Sequence, residues 1–275
     1  MPNLATAAPL AKTFSDPGTA IREVAVGLCH AGVVRGLIPL AEADRQATAI
    51  LGNYKQRTSG VPGGTLGPSL FENAGDPLQY FRESALAGHL IATTLGSSHP
   101  GALMAAIESF EALGYGYRVR PVVYKGLPAA YNRALIFPSD SPVIVRIHED
   151  EANVRALAPY NFEISSADIV LAHNLYLRNR TGEGPVYMYG KKFSDAEKVA
   201  LDIKYASENP PPQIAATGYP YPEAEFIGAP QTVLDVEAGD YVVFRADYPH
   251  KVANTASFAY GMRVELTRFG GRFVT

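Results

Sequence analysis

Two histidines, a carboxylate and an arginine carry the chemistry this sequence offers. His148 and Asp150 close the run Val143-Ile144-Val145-Arg146-Ile147-His148-Glu149-Asp150, and His250 follows Tyr248-Pro249 far downstream, with Arg263 after it. The run is rich in β-branched residues and reads as a strand. Side chains along a strand alternate faces, so His148 and Asp150 leave the backbone on one side while Glu149 and Glu151 leave on the other. Two neutral imidazoles and one carboxylate converging on a point form a ligand set that holds Fe(II) and leaves coordination positions open. Metal-centred chemistry is therefore expected, with His148, Asp150 and His250 as the ligands.

The distal half of this constellation has its own logic. Asp235-Val236-Glu237-Ala238-Gly239-Asp240 is a turn that delivers Tyr241-Val242-Val243-Phe244 as a buried strand, and His250 lies just past its end. Asn254-Thr255-Ala256-Ser257 reads as a reversal. A hairpin folded about it predicts His250 opposite approximately residues 261–263. That register sets the Arg263 guanidinium beside the metal, where it grips a carboxylate through two parallel hydrogen bonds.

The arrangement His148-x-Asp150, His250 and Arg263 resembles the His-x-Asp...His...Arg pattern of the Fe(II)/2-oxoglutarate-dependent oxygenases, over roughly the second half of the chain. The resemblance implies a double-stranded β-helix, or jelly roll. It implies Fe(II) on His148, Asp150 and His250, with 2-oxoglutarate and O2 as co-substrates. It also implies hydroxylation, desaturation or cyclisation of a small-molecule substrate, coupled to decarboxylation of 2-oxoglutarate to succinate and CO2. Arg263 is the expected anchor for 2-oxoglutarate, with Arg268 its competitor. Asn174, opposite in face to His173 within Leu171-Ala172-His173-Asn174-Leu175-Tyr176-Leu177, is a further candidate to touch the co-substrate from the barrel interior. The rival reading is a non-catalytic jelly-roll module that binds a small molecule, with the histidines and Asp150 as packing residues.

The elements that must position these residues follow from periodicity. Residues 1–20 carry Pro2, Pro9 and Asp16-Pro17-Gly18 without a repeat and read as a loose lead-in. Ile21–Val26 and Gly32–Ile38 are β-branched and bounded by glycine, which predicts short strands. Helices are expected over 39–54, 76–95 and 100–113, and a long Gly/Pro/Ser-rich loop over 58–75. From Tyr115 the period changes to two, and many short strands follow. The expected fold is mainly β: a jelly-roll core over about 115–275, within one domain spanning 1–275, with the earlier helices packed on one sheet. Ser194-Asp195-Ala196-Glu197 starts one helix inside the β run, and the Pro- and Tyr-rich segment 209–230 is either surface linker or a wall of a substrate mouth.

Composition narrows the classes. A net charge of -3 lacks the basic footprint of nucleic-acid binding. No run approaches the roughly 20 apolar residues of a membrane span. One cysteine, Cys29, closes no internal disulfide, which predicts a cytoplasmic protein. Thiolate zinc sites, the His-Glu-x-x-His helix, the Gly-x-Ser-x-Gly elbow and phosphate-binding glycine loops are all missing from the sequence.

Overall fold

A computed structural model of the chain describes residues 9–56, 63–68, 76–95, 101–129, 133–138, 143–155, 157–160, 165, 167–179, 183–253, 262–268 and 271–274. The chain begins with β1 (Ala11–Phe14), α1 (Pro17–Ala25), β2 (Ala31–Val34), α2 (Leu40–Leu51), β3 (Lys55–Gln56), β4 (Gly64–Leu66), α3 (Pro77–Leu95) and α4 (Gly101–Glu108). There follow β5 (Arg118–Pro121), β6 (Val123–Tyr124), β7 (Leu127–Pro128), β8 (Arg133–Pro138), β9 (Val143–His148), α5 (Glu151–Arg155) and β10 (Leu171–Arg178). The rest comprises β11 (Val186–Tyr189), α6 (Asp195–Lys204), α7 (Ile214–Thr217), β12 (Gln231–Leu234), β13 (Tyr241–Arg245), β14 (His250–Ala253), β15 (Met262–Arg268) and β16 (Gly271–Val274).

Two sheets dominate. The larger has the order β1-β2-β13-β10-β15-β8-β4-β3, and the smaller β12-β11-β14-β9. From β8 to β15 the chain crosses between them: β8, β10, β13 and β15 lie in the large sheet, and β9, β11, β12 and β14 in the small one. One apolar core fills the space between the sheets, taking Leu135 and Phe137 from β8, Tyr176 from β10, Val242 and Phe244 from β13, Met188 from β11 and Val252 from β14. A second core lies on the other face of the large sheet. There Leu175, Leu177, Tyr241 and Val243 pack against Ile21 and Val24 of α1, Ala47 and Ile50 of α2, Ile91 of α3 and Ile107 of α4. Alternate residues of β10 and β13 thus serve alternate cores, which is why Tyr241–Phe244 is apolar throughout. Burying a Leu or Val side chain of this kind stabilises the fold by about 1.5–3 kcal/mol.

The structure departs from the sequence reading at the N-terminus. Residues 11–14 form β1, which pairs in parallel with β2, so the lead-in is structured from there. Ile21–Val26 falls in helix α1 rather than in a strand. Asp16 caps it by accepting from Thr19 N, Pro17 starts it, and Ala20, Ile21 and Val24 fall on one buried side. Capping and helical spacing outweigh β-branched propensity here. Within the expected 58–75 loop, Gly64–Leu66 forms β4 and pairs with β8; residues 57–62 and 69–75 lie outside the described part.

The predicted hairpin also fails. β14 pairs with β9 and β11, whereas β15 pairs with β8 and β10 in the other sheet. His250 is opposite His148, not opposite residues 261–263. The reversal at residues 254–257 lies outside the described residues. The chain crosses from one sheet to the other between β14 and β15, so a residue at the start of β15 is separated from β14 by the spacing of stacked sheets, about 10 Å. No helix among the described residues is long and apolar enough to cross a membrane.

Candidate metal centre

His148 ends β9 and His250 begins β14, and these antiparallel strands place the two histidines directly opposite each other. Their ring centroids are 4.1 Å apart. Asp150 lies just beyond β9, where its backbone N–H donates to Ala246 O at 2.9 Å and so ties the two ligand-bearing segments together. His148 Nε2 is 3.9 Å from Asp150 Oδ1, and His250 Nε2 is 3.7 Å from Asp150 Oδ2. The donor atoms of all three side chains lie within 4.8 Å of one another. Separations of 3.7–3.9 Å are beyond hydrogen-bond reach, so the groups converge without satisfying each other.

The other nitrogens are committed. His148 Nδ1 is 2.8 Å from Arg146 O, and His250 Nδ1 is 3.0 Å from Tyr248 O. A carbonyl only accepts, so both Nδ1 atoms carry hydrogen and donate, and in the neutral ring this puts the lone pair on Nε2. Both lone pairs belong to the cluster that holds the Asp150 carboxylate. Histidines in metal sites have this outer-shell arrangement, in which the carbonyl fixes the tautomer and ring orientation. His250 is buried, and Phe244 packs edge-on to it at 4.7 Å. Burial and then the neighbouring His148 push its pKa down to about 4, against weaker opposing effects from Asp150 and Tyr248 O. The imidazole is neutral, as a metal ligand must be.

Glu149 and Glu151 point elsewhere, as expected, although Glu151 opens helix α5 rather than continuing the strand. Glu149 is buried in an ion pair with Lys198 of α6, and Glu151 accepts from Arg155 one helical turn on at 2.6 Å. Burial raises the pKa of Glu149, and Lys198 opposes that shift. Strand β9 is an edge of the small sheet, and segment 218–221 covers it. Glu149 N donates to Gly218 O at 3.0 Å and Tyr221 N to Ile147 O at 2.8 Å. The Pro- and Tyr-rich segment therefore braces the strand that carries His148, a role its composition did not disclose.

The remaining candidates sit on the large sheet. Asn174 pairs with Val242, a residue of the inter-sheet core, and is on that face of β10. His173 faces the helices, is buried, and its Nδ1 is 2.7 Å from Tyr241 Oη, so it is a packing residue. Arg263 pairs with Phe137 of the inter-sheet core, whereas Arg268 pairs with His173 on the helix-covered face. The side chains of Arg263 and Arg268 lie outside the described part.

Sequence reasoning missed Lys192, Lys198, Arg245 and Asp247. Arg245 donates to both oxygens of buried Asp247 at 2.9 and 2.6 Å, and Lys192 pairs with the same carboxylate. Burial works against the Asp247 charge, but Arg245 and Lys192 together hold its pKa below the ordinary value. Only the proximity of Asp247 to His250 hinted at such a role, since each lysine meets its partner across a long stretch of chain.

No family model matches the sequence, and no curated protein matches it. Solved structures do. The fold is similar to that of an N-substituted L-amino acid dioxygenase from Burkholderia ambifaria AMMD, with a TM-score of 0.55 and 12% identity, over 94% of this chain and 91% of that one. The same dioxygenase in complex with alpha-KG (2-oxoglutarate) matches with a TM-score of 0.53 and 10% identity, over the same shares of the two chains. At such identities the likeness is one of fold: the chain has the architecture of these dioxygenase structures.

Proposed function

We propose that this protein is a non-haem Fe(II)/2-oxoglutarate-dependent oxygenase acting on a small molecule, built on a jelly roll formed by β8 to β15. The observation that carries the reading is the convergence of two Nε2 lone pairs and one carboxylate, with both Nδ1 atoms committed to carbonyls. Nitrogen and oxygen donors in this two-to-one set suit Fe(II), and three protein ligands leave positions for a chelating co-substrate and O2. The strand alternation between two sheets supports the jelly-roll reading.

When bound, iron together with 2-oxoglutarate and O2 supplies the oxidising power, and 2-oxoglutarate is decarboxylated to succinate and CO2. The protein's part is to position and to exclude water. His148, Asp150 and His250 hold the metal, and Phe244 and the inter-sheet core keep solvent from His250. Arg263 is assigned the far carboxylate of 2-oxoglutarate, because its register partner Phe137 belongs to the inter-sheet core while that of Arg268 faces the helices. On this assignment Arg263 would bind the far carboxylate from the inter-sheet face of β15. Asn174, on the same face of the large sheet, would be a second contact for it. Hydroxylation is the default reaction, and N-substituted L-amino acids are the first substrates to screen, given the fold they are named with.

The test is succinate release by purified protein supplied with Fe(II), 2-oxoglutarate and O2, which is expected slowly without substrate and faster with it. His148→Ala and His250→Ala are each expected to abolish it. A chain that neither binds iron nor releases succinate is the non-catalytic binding module instead.

A further inference from the structure

Both halves of the candidate metal centre are tied to one connector. Lys192 and Lys198 lie between the end of β11 and the first turns of α6. Lys198 pairs with Glu149, which is peptide-bonded to both His148 and Asp150, and the two partners are 6% and 1% exposed. Lys192 pairs with Asp247, also buried, on the loop that presents His250, and it covers the Tyr248 ring at 4.8 Å. Tyr248 is the residue whose carbonyl orients His250. The connector is itself fixed: Ser194 and Glu197 form a reciprocal capping box at the start of α6, and Tyr189 N donates to Pro249 O at 3.0 Å.

We propose that Lys192 and Lys198 are positioning residues that set the separation of the two halves of the metal site; the inference rests on the metal-site reading above. The physical reason lies in the burial of their partners. A buried carboxylate stripped of its ion-pair partner is strongly disfavoured where it lies and is driven toward water. Glu149 is 1% exposed and its backbone N–H is bonded to Gly218 O, so movement of its side chain toward water disturbs the packing of the turn from which His148 and Asp150 project. Asp247 keeps Arg245 when Lys192 is removed, so the second half of the site is held twice and yields less. Between the halves themselves the bond from Asp150 N to Ala246 O acts at this turn, beside the pairing of His250 with His148.

The experiment is titration of the full-length, metal-free protein with Mn(II), followed by the electron paramagnetic resonance signal of the free ion, with unfolding measured on the same samples. Lys198→Met is expected to weaken Mn(II) binding about tenfold or more, in the range found when groups supporting metal ligands are removed. Lys192→Met, which leaves Arg245 on Asp247, keeps the fold and weakens binding by a smaller factor. The control is Arg35→Met, which removes the cation from buried Asp240 at the opposite end of β13 and is expected to lower stability without changing Mn(II) affinity. Unchanged affinity in both lysine variants overturns the proposal, as does an equal loss in Arg35→Met, which marks a general effect of stability. A wild-type chain that binds no Mn(II) overturns the metal-site reading itself and this inference with it.

Discussion

The burial of His250 makes the metal-free protein sensitive to acid in a calculable way. Its folded-state pKa is about 4, against 6.5 for the exposed side chain. Below pH 6.5 the unfolded chain takes up a proton at this position that the folded chain refuses, so stability is complete above 6.5 and is lost as pH falls toward 4. The ceiling on the loss is about 3 kcal/mol, and about 2 kcal/mol of it is gone by pH 5. Other groups titrate in the same window, so the informative quantity is a difference between wild type and His250→Asn. Asparagine retains a donor toward Tyr248 O but has no titratable nitrogen. Urea unfolding of both proteins in chelator at pH 7 and pH 5 is expected to show wild type losing about 2 kcal/mol more than the variant. A difference that stays constant between those pH values would mean that His250 is charged or solvated in the folded state, and the argument for a neutral, preformed ligand would fail.

Two further outcomes follow from the register and the brace. Arg263→Ala is expected to weaken 2-oxoglutarate binding to the metal-loaded protein by on the order of tenfold to a hundredfold, the worth of a charge-assisted pair, with little change in metal affinity; if calorimetry finds this selective loss in Arg268→Ala instead, the register assignment is wrong. Gly218→Ala places a Cβ 2.5 Å from Glu149 O in a backbone with φ +67, so it should cost more than Gly27→Ala, where φ is +77 and no atom lies within 4 Å. The open site carries only the left-handed penalty of about 1–2 kcal/mol, and equal melting-temperature losses in the two variants would show that segment 218–221 does not press on the strand that carries His148.

What the sequence determined by itself is local. Strand alternation in Val143–His148 put His148 and Asp150 on one side and sent Glu149 away, because the direction of a side chain in a strand depends only on position along it. Tyr241–Phe244 could be read as a buried strand from its continuous apolar run, and Ser194 with Glu197 as a helix start because capping is a contact between near neighbours in sequence. Residues 17–25 show how local signals compete. Asp16-Pro17-Gly18, which reads as lead-in, instead caps and starts α1, and the choice fell to helix because α1 could bury Ile21 and Val24 on the large sheet.

Tertiary structure alone decided which elements met. His250 pairs with His148 and not with the start of β15, because the chain changes sheets after β14, and a sequence carries no record of which sheet a strand joins. The preference for Arg263 over Arg268 therefore rests on register, where a shift of one residue exchanges the two faces. The lysines on Glu149 and Asp247 were invisible for a related reason. A charge on a helix or loop reads as solvated until the fold buries its partner, and only the packing of α6 against the back of β9 turned Lys198 from a surface residue into the counter-ion of Glu149, between His148 and Asp150.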